Sequence, residues 1–181
     1  EPNIYAVGDC AEQQEPLENR RAIEAIWYTG RMMGETVAQT LTGEKTAYHP
    51  GHWFNSAKFF DIEYQTYGVV SAHPQEPEIH FHWEDLEKEI AVTIAFHKDS
   101  NLFLGINTFG IRMRHEIFNQ MLNNESTVFH VMEHLGDCNF DSEFFKSYEK
   151  EILSKFNQDY NKEIKLKKKS WTRIFNSKIA K

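Results

Sequence analysis

Three groups of residues have types and spacings that could do chemistry. The first is Ile4-Tyr5-Ala6-Val7-Gly8-Asp9-Cys10-Ala11, an apolar run that stops at Gly-Asp. It reads as a buried strand entering a turn, where Gly8 lets backbone pass close to a ligand. Asp9 there offers two acceptor oxygens suited to sugar-like hydroxyls, and ligands of open α/β sheets sit at such strand ends. The second is His130-Val131-Met132-Glu133-His134, an H-x-x-E-H pattern. On a helix its two histidines share one face, as zinc binding requires, but a third ligand would have to come from a distant acid. With nine histidines in 181 residues chance pairs are common. The simpler reading is a polar helix face, and no metal is assigned. The third group, His80 and His82, alternates on one strand face beside Trp83. An exposed sheet face explains it without a ligand.

These groups need elements to position them. Residues 20–41 carry apolar Ile23, Ile26, Trp27, Val37 and Leu41 at helical spacing, with Gly43 as a C-terminal stop. Gly30 and Gly34 fall inside that helix, where glycine costs about 1 kcal/mol relative to alanine. Close packing against another backbone is the expected compensation. After His49-Pro50-Gly51 the period changes to two: Phe60, Ile62, Tyr64 and Thr66 alternate with Asp61, Glu63 and Gln65 until Gly68. Residues 79–83, 90–96 and 102–108 read as further strands, joined by turns at 84–89 and 98–101. Helical patterns follow at 112–122, 126–135 and 142–161, the last with Asp141 or Ser142 as N-cap and an apolar stripe of Phe144, Phe145, Tyr148, Ile152, Leu153 and Phe156. The layout is α+β: a strand–helix piece over residues 1–48, then three or four antiparallel strands and helices over residues 49–181.

Composition excludes several classes. A 40% hydrophobic, 14% aromatic chain is not disordered, and no run of about 18 apolar residues would span a membrane. The net charge is −7, yet residues 162–181 hold eight basic side chains against Glu163 alone, so residues 1–161 carry −14. An acidic body disfavours nucleic acid as partner, and the basic tail reads as a solvated helix end. Phe59-Phe60 and Phe144-Phe145 lack the interleaved Lys and Arg of a base-stacking platform. Two cysteines, Cys10 and Cys138, form no framework, which fits a reducing cytoplasm.

The segment from Ile4 to Ala11 resembles the second flavin-binding motif of FAD-dependent pyridine nucleotide–disulfide oxidoreductases, an apolar strand ending in (Y/F)-A-x-G-D before a glycine-containing helix. Ile26-Trp27-Tyr28-Thr29-Gly30-Arg31 matches the helix section. The hairpins and helices behind it are similar in order to the C-terminal interface domain of the ferredoxin-reductase and nitrite-reductase-like branch. Phe59-Phe60-Asp61-Ile62-Glu63-Tyr64-Gln65-Thr66-Tyr67-Gly68 resembles that domain's first strand, with its closing Gln-x-x-Gly. The resemblance covers most of residues 3–110.

It implies that Gly8 and Asp9 approach FAD, with Asp9 on a ribityl hydroxyl and the Cys10 amide near the pyrophosphate. The backbone around Glu24, Ala25 and Ile26 would face the flavin pyrimidine edge, at a helix end that favours negative charge on the reduced ring. No redox role is implied for the Cys10 thiol, and no catalytic residue is assigned. The implied parent reaction is hydride transfer from NADH or NADPH to FAD, then electrons onward to an acceptor. No G-x-G-x-x-G occurs in residues 1–181. The chain, which begins at Glu1, is therefore expected to be the C-terminal part of such an enzyme, to bind FAD weakly and not to turn over. A homodimer or a redox-protein contact is the expected partnership, and a non-catalytic interaction module is the alternative reading. A metal hydrolase built on His130 and His134 is the remote one.

Overall fold

The computed structural model describes residues 3–17, 20–140 and 146–167. The chain divides into two compact units, Glu1–Asn55 and Ser56–Lys181.

In the first unit, residues 3–8 form no sheet ladder, and residues 3–7 are exposed rather than buried, although their apolar pattern is that of a buried strand. A ladder needs a neighbouring strand, and none lies beside them among the described residues. Helix α1 runs Trp27–Leu41, so it starts seven residues later than the apolar spacing suggests. Residues 20–26 form bends instead, because Arg20 and Glu24 are drawn into an ion pair in the unit's interior. The helix ends as expected: the Gly43 N–H donates to the Thr40 carbonyl, with Gly43 at φ +105°.

The second unit is built on a five-stranded sheet of order β1-β2-β5-β4-β3, from β1 (Phe54–Phe59), β2 (Ile62–Gly68), β3 (Glu78–Asp85), β4 (Ile90–His97) and β5 (Phe103–Phe109). β2–β5, β5–β4 and β4–β3 are all antiparallel. β1 adds a strand to the three or four read from the sequence; its Asn55, Ser56 and Lys58 obscured it. Tyr67, Ile106, Ile94 and Phe81 lie directly opposite one another across β2, β5, β4 and β3 and so share one face. That row is buried, and it is the core.

Helices α2 (His115–Asn123), α3 (Val128–Glu133), α4 (Leu135–Cys138) and α5 (Glu149–Tyr160) follow the sheet. α5 presents Ile152, Leu153 and Phe156, all buried; Phe156 meets Phe81 edge-on at 5.1 Å. A fully buried Phe contributes roughly 1.5–3 kcal/mol of apolar transfer. α2 brings Phe118 onto Tyr67, stacked at 5.3 Å. α5 starts at Glu149 with Tyr148 as N-cap and no side-chain cap, later than the expected start near Ser142; Asp141 and Ser142 lie outside the described residues, as do residues 168–181 of the basic tail. Gln65, from the Gln-x-x-Gly, is buried and its Oε1 accepts the Met113 N–H at 2.6 Å, fixing the chain ahead of α2. Among the described residues no helix is long and apolar enough to cross a membrane.

Candidate functional site

The Gly-Asp segment forms a tight turn. Gly8 has φ +83°, a left-handed backbone that favours glycine, and its carbonyl accepts the Ala11 N–H at 3.0 Å. The Gly8 N–H points at Met33 Sδ, 3.3 Å away on α1. Gly30 explains how helix and turn come together: a Cβ there would lie 3.7 Å from the Gly8 Cα and 4.0 Å from Asp9 Oδ1. The expected backbone-to-backbone packing therefore holds for Gly30. It does not hold for Gly34, where an added Cβ would meet nothing within 4 Å.

This packing sets the Gly8–Asp9 turn against the first turn of α1. Ile26 is the N-cap, extended at φ −133° and ψ 148°, and no side chain caps the helix. The first turn holds no acid, so its partial positive charge is not offset by a carboxylate of its own. Asp9, Cys10 and Ala25 are exposed, while Gly8 and Ile26 are half-buried.

Glu24 behaves differently from its neighbours. Its side chain is fully buried, and Arg20 grips it with Nε to Oε1 at 2.5 Å and Nη2 to Oε2 at 2.6 Å. Arg20 also donates to the Gly51 carbonyl at 2.8 Å and lies 5.2 Å from the centre of the Trp53 ring. The Glu24 carbonyl accepts from Thr29 Oγ1 at 3.0 Å. The Glu24 carboxylate is thus committed to an internal clamp, and its carbonyl, which also accepts the Ile26 N–H at 3.0 Å, is engaged within the unit. Burial, followed by the Glu24 charge, raises the pKa of the nearby Tyr48 hydroxyl. Tyr48, Tyr5, Val7, Ala11, Met33 and Val37 line a cleft of about 220 Å³, and the Tyr48 hydroxyl is buried without a hydrogen-bond partner among the described residues. Arg20 and Gly51 were not legible as site residues, whereas the resemblance set Trp53 among aromatics that meet the flavin or the partner, with ordinary packing as the other reading; it lies against the Arg20 guanidinium. The i, i+4 spacing of Arg20 and Glu24 was a signal for the pair, but it resembled an ordinary helix-surface contact.

In the second unit, His80 Nε2 contacts Glu78 at 2.6 Å, and His82 contacts Thr93 through Nδ1 at 2.9 Å. Both are engaged in the strand's own polar contacts. His130, Glu133 and His134 come together at the end of α3.

No family model and no curated protein matches this sequence. Solved structures do. A NAD-dependent persulfide reductase from A. fulgidus superposes with TM-score 0.63 at 15% identity, over 87% of this chain and 31% of that one. The fold is similar to part of that structure. An FAD-dependent pyridine nucleotide-disulphide oxidoreductase from Desulfovibrio vulgaris matches with TM-score 0.56 at 13% identity, over 88% of this chain and 39% of its own. Reduced Bacillus anthracis CoADR-RHD matches with TM-score 0.58 at 18% identity, over 86% and 31%. The chain spans between about a third and two fifths of the length of these structures. The fold thus agrees with the resemblance carried by residues 3–110.

Proposed function

We propose that this chain is the C-terminal part of a flavin-dependent oxidoreductase that passes electrons from NADH or NADPH through FAD to an acceptor. One observation carries the reading: Gly30 packs the Gly8–Asp9 turn against an uncapped helix start. That arrangement supplies what a flavin needs at this end. Asp9, exposed and 4.0 Å from the Gly30 Cβ position, accepts from sugar-like hydroxyls of the ribityl chain. The Cys10 amide serves the pyrophosphate, and the backbone of Glu24, Ala25 and Ile26 meets the pyrimidine edge, where the helix end stabilises negative charge. FAD, when bound, supplies the hydride and electron chemistry; these residues bind it and tune it. The chain by itself binds FAD weakly and is inactive, since the G-x-G-x-x-G that holds the other end of the cofactor is not among its residues. Both cysteines are free thiols, in keeping with a reducing cytoplasm.

The test is the longer reading frame that contains this chain. It should encode an in-frame G-x-G-x-x-G upstream and yield a yellow protein that oxidises NADH or NADPH, and Asp9→Ala should lose flavin. A colourless, inactive product would overturn the proposal.

A second reading is an interaction module that makes a homodimer or docks a redox protein. Phe59, Ile62 and Phe109, with 63%, 41% and 45% of their surface exposed, favour association through the sheet unit. Light scattering that shows only monomer at high concentration would remove the homodimer.

A further inference from the structure

The flavin reading leaves the H-x-x-E-H segment unused. α3 ends at Glu133 with His134 as C-cap, at φ −100° and ψ 12°. The i, i+4 spacing brings the His130 and His134 rings to 4.0 Å between centroids. One ligand atom from each of His130, Glu133 and His134 lies within 4.8 Å of the others.

The hydrogen bonds decide how the His134 ring is poised. Its Nδ1 lies 2.9 Å from the His130 carbonyl, which can only accept, so Nδ1 carries the proton. Its Nε2 lies 3.1 Å from Lys167 Nζ, which can only donate, so Nε2 presents its lone pair. A carbonyl that holds one ring nitrogen and leaves the other as a donor of electrons is the orienting contact metal-bound histidines use. The lone pair already faces a cation. The Lys167 N–H also donates to the Glu133 carbonyl at 2.8 Å, so the segment after α5 is anchored where the ammonium can reach the cluster.

We propose that His130, Glu133 and His134 bind a divalent cation of the zinc type, and that Lys167 is a tethered cation occupying the same place when the metal is absent. Two imidazole nitrogens and one carboxylate oxygen form a three-ligand zinc set with a fourth position for water. Nickel and copper suit the same donors, whereas magnesium and calcium demand oxygen ligands and are rejected. His130 and Glu133 are exposed, so their side chains can rotate inward from the present spacing. Metal and ammonium repel each other at this distance, so binding of one expels the other and frees the Lys167 side chain while its backbone bond to Glu133 stays.

Isothermal titration of zinc into the chelator-stripped full chain tests this. One site is expected, weakened at least about tenfold in His130→Ala/His134→Ala and in the exposed single variant His130→Ala. It should tighten about two- to fivefold in Lys167→Ala, the range a surface ionic contact supplies. His82→Ala should bind as the parent does, and calcium should give no binding. Equal zinc affinity in the parent and in His130→Ala/His134→Ala, both folded by circular dichroism, would overturn the site. Unchanged or weaker binding in Lys167→Ala would overturn the competition.

Discussion

Arg20 and Glu24 allow a prediction whose size follows from their surroundings. Their side chains are 5% and 0% exposed, and Arg20 makes two charge-assisted bonds to Glu24 and one to the Gly51 carbonyl. Removing Arg20 leaves a carboxylate inside the unit without its counter-ion. Breaking a buried pair from one side costs roughly 3–5 kcal/mol, whereas replacing both partners by apolar groups of similar size is close to neutral. Arg20→Met should therefore cost about 3–5 kcal/mol, against the roughly 5–15 kcal/mol that stabilises a typical domain. Arg20→Met/Glu24→Leu should recover most of it, leaving about 1 kcal/mol for the Gly51 carbonyl that lost its donor. Urea unfolding followed by tryptophan emission is suited to the test, because Trp53 lies 5.2 Å from the guanidinium. Replacing Trp83 and Trp171 by Phe confines the signal to Trp27 and Trp53. An Arg20→Met cost below about 1 kcal/mol, or a double variant less stable than the single one, would refute the reasoning.

Gly105→Ala should destabilise the sheet unit by about 3 kcal/mol or more in thermal or urea unfolding, because its Cβ would sit 2.5 Å from both Val69 N and Val69 O and 2.6 Å from Tyr67 O. A thiol reagent should label one cysteine in the native chain and two in denaturant, since Cys10 is exposed while Cys138 is buried with its thiol pKa pushed far up by burial, then by Asp137. His115 has its pKa lowered, chiefly by burial against a smaller opposing effect of Glu116. The unfolded chain then binds the proton more readily, so stability is full above about pH 6.5 and falls as the pH drops from there through the folded-state value. His115→Gln should show a shallower loss of melting temperature between pH 7.5 and 5.5 than the parent, measured in the same buffers.

The parts read correctly from sequence were those whose pattern is local. β3, EIHFHWED, alternates apolar and polar residues, and β4, IAVTIAFH, is a short apolar β-branched run; both are bounded by turn chemistry, so pattern and boundary agree. α5 was recognisable from its stripe of Ile152, Leu153 and Phe156. The misreadings all involve tertiary partners. β1 is a strand because β2 lies beside it, not because FNSAKF favours one. Residues 3–8 have strand composition without a neighbour to pair with among the described residues. Residues 20–26 have helical spacing, but the interior ion pair and the Gly51 carbonyl outweigh it. At the candidate site, Gly8, Asp9 and Gly30 were legible as a motif. Tyr48 was not, because only folding brings it near Glu24, and the i, i+4 spacing of Arg20 and Glu24 looked like an ordinary surface contact.

The two glycines where β2 meets β5 bear on how the sheet unit is assembled. β3, β4 and β5 are consecutive hairpin partners and can form as a local meander. β2 must wait, because its partner β5 lies beyond the whole β3–β4 hairpin. Closing that longer loop is the slow step by chain entropy. Gly68 pairs with Gly105 at the seam, and at both positions an added Cβ would strike the opposite backbone. The last seam to close is thus also the tightest, so substitutions there should slow folding as well as weaken the finished sheet.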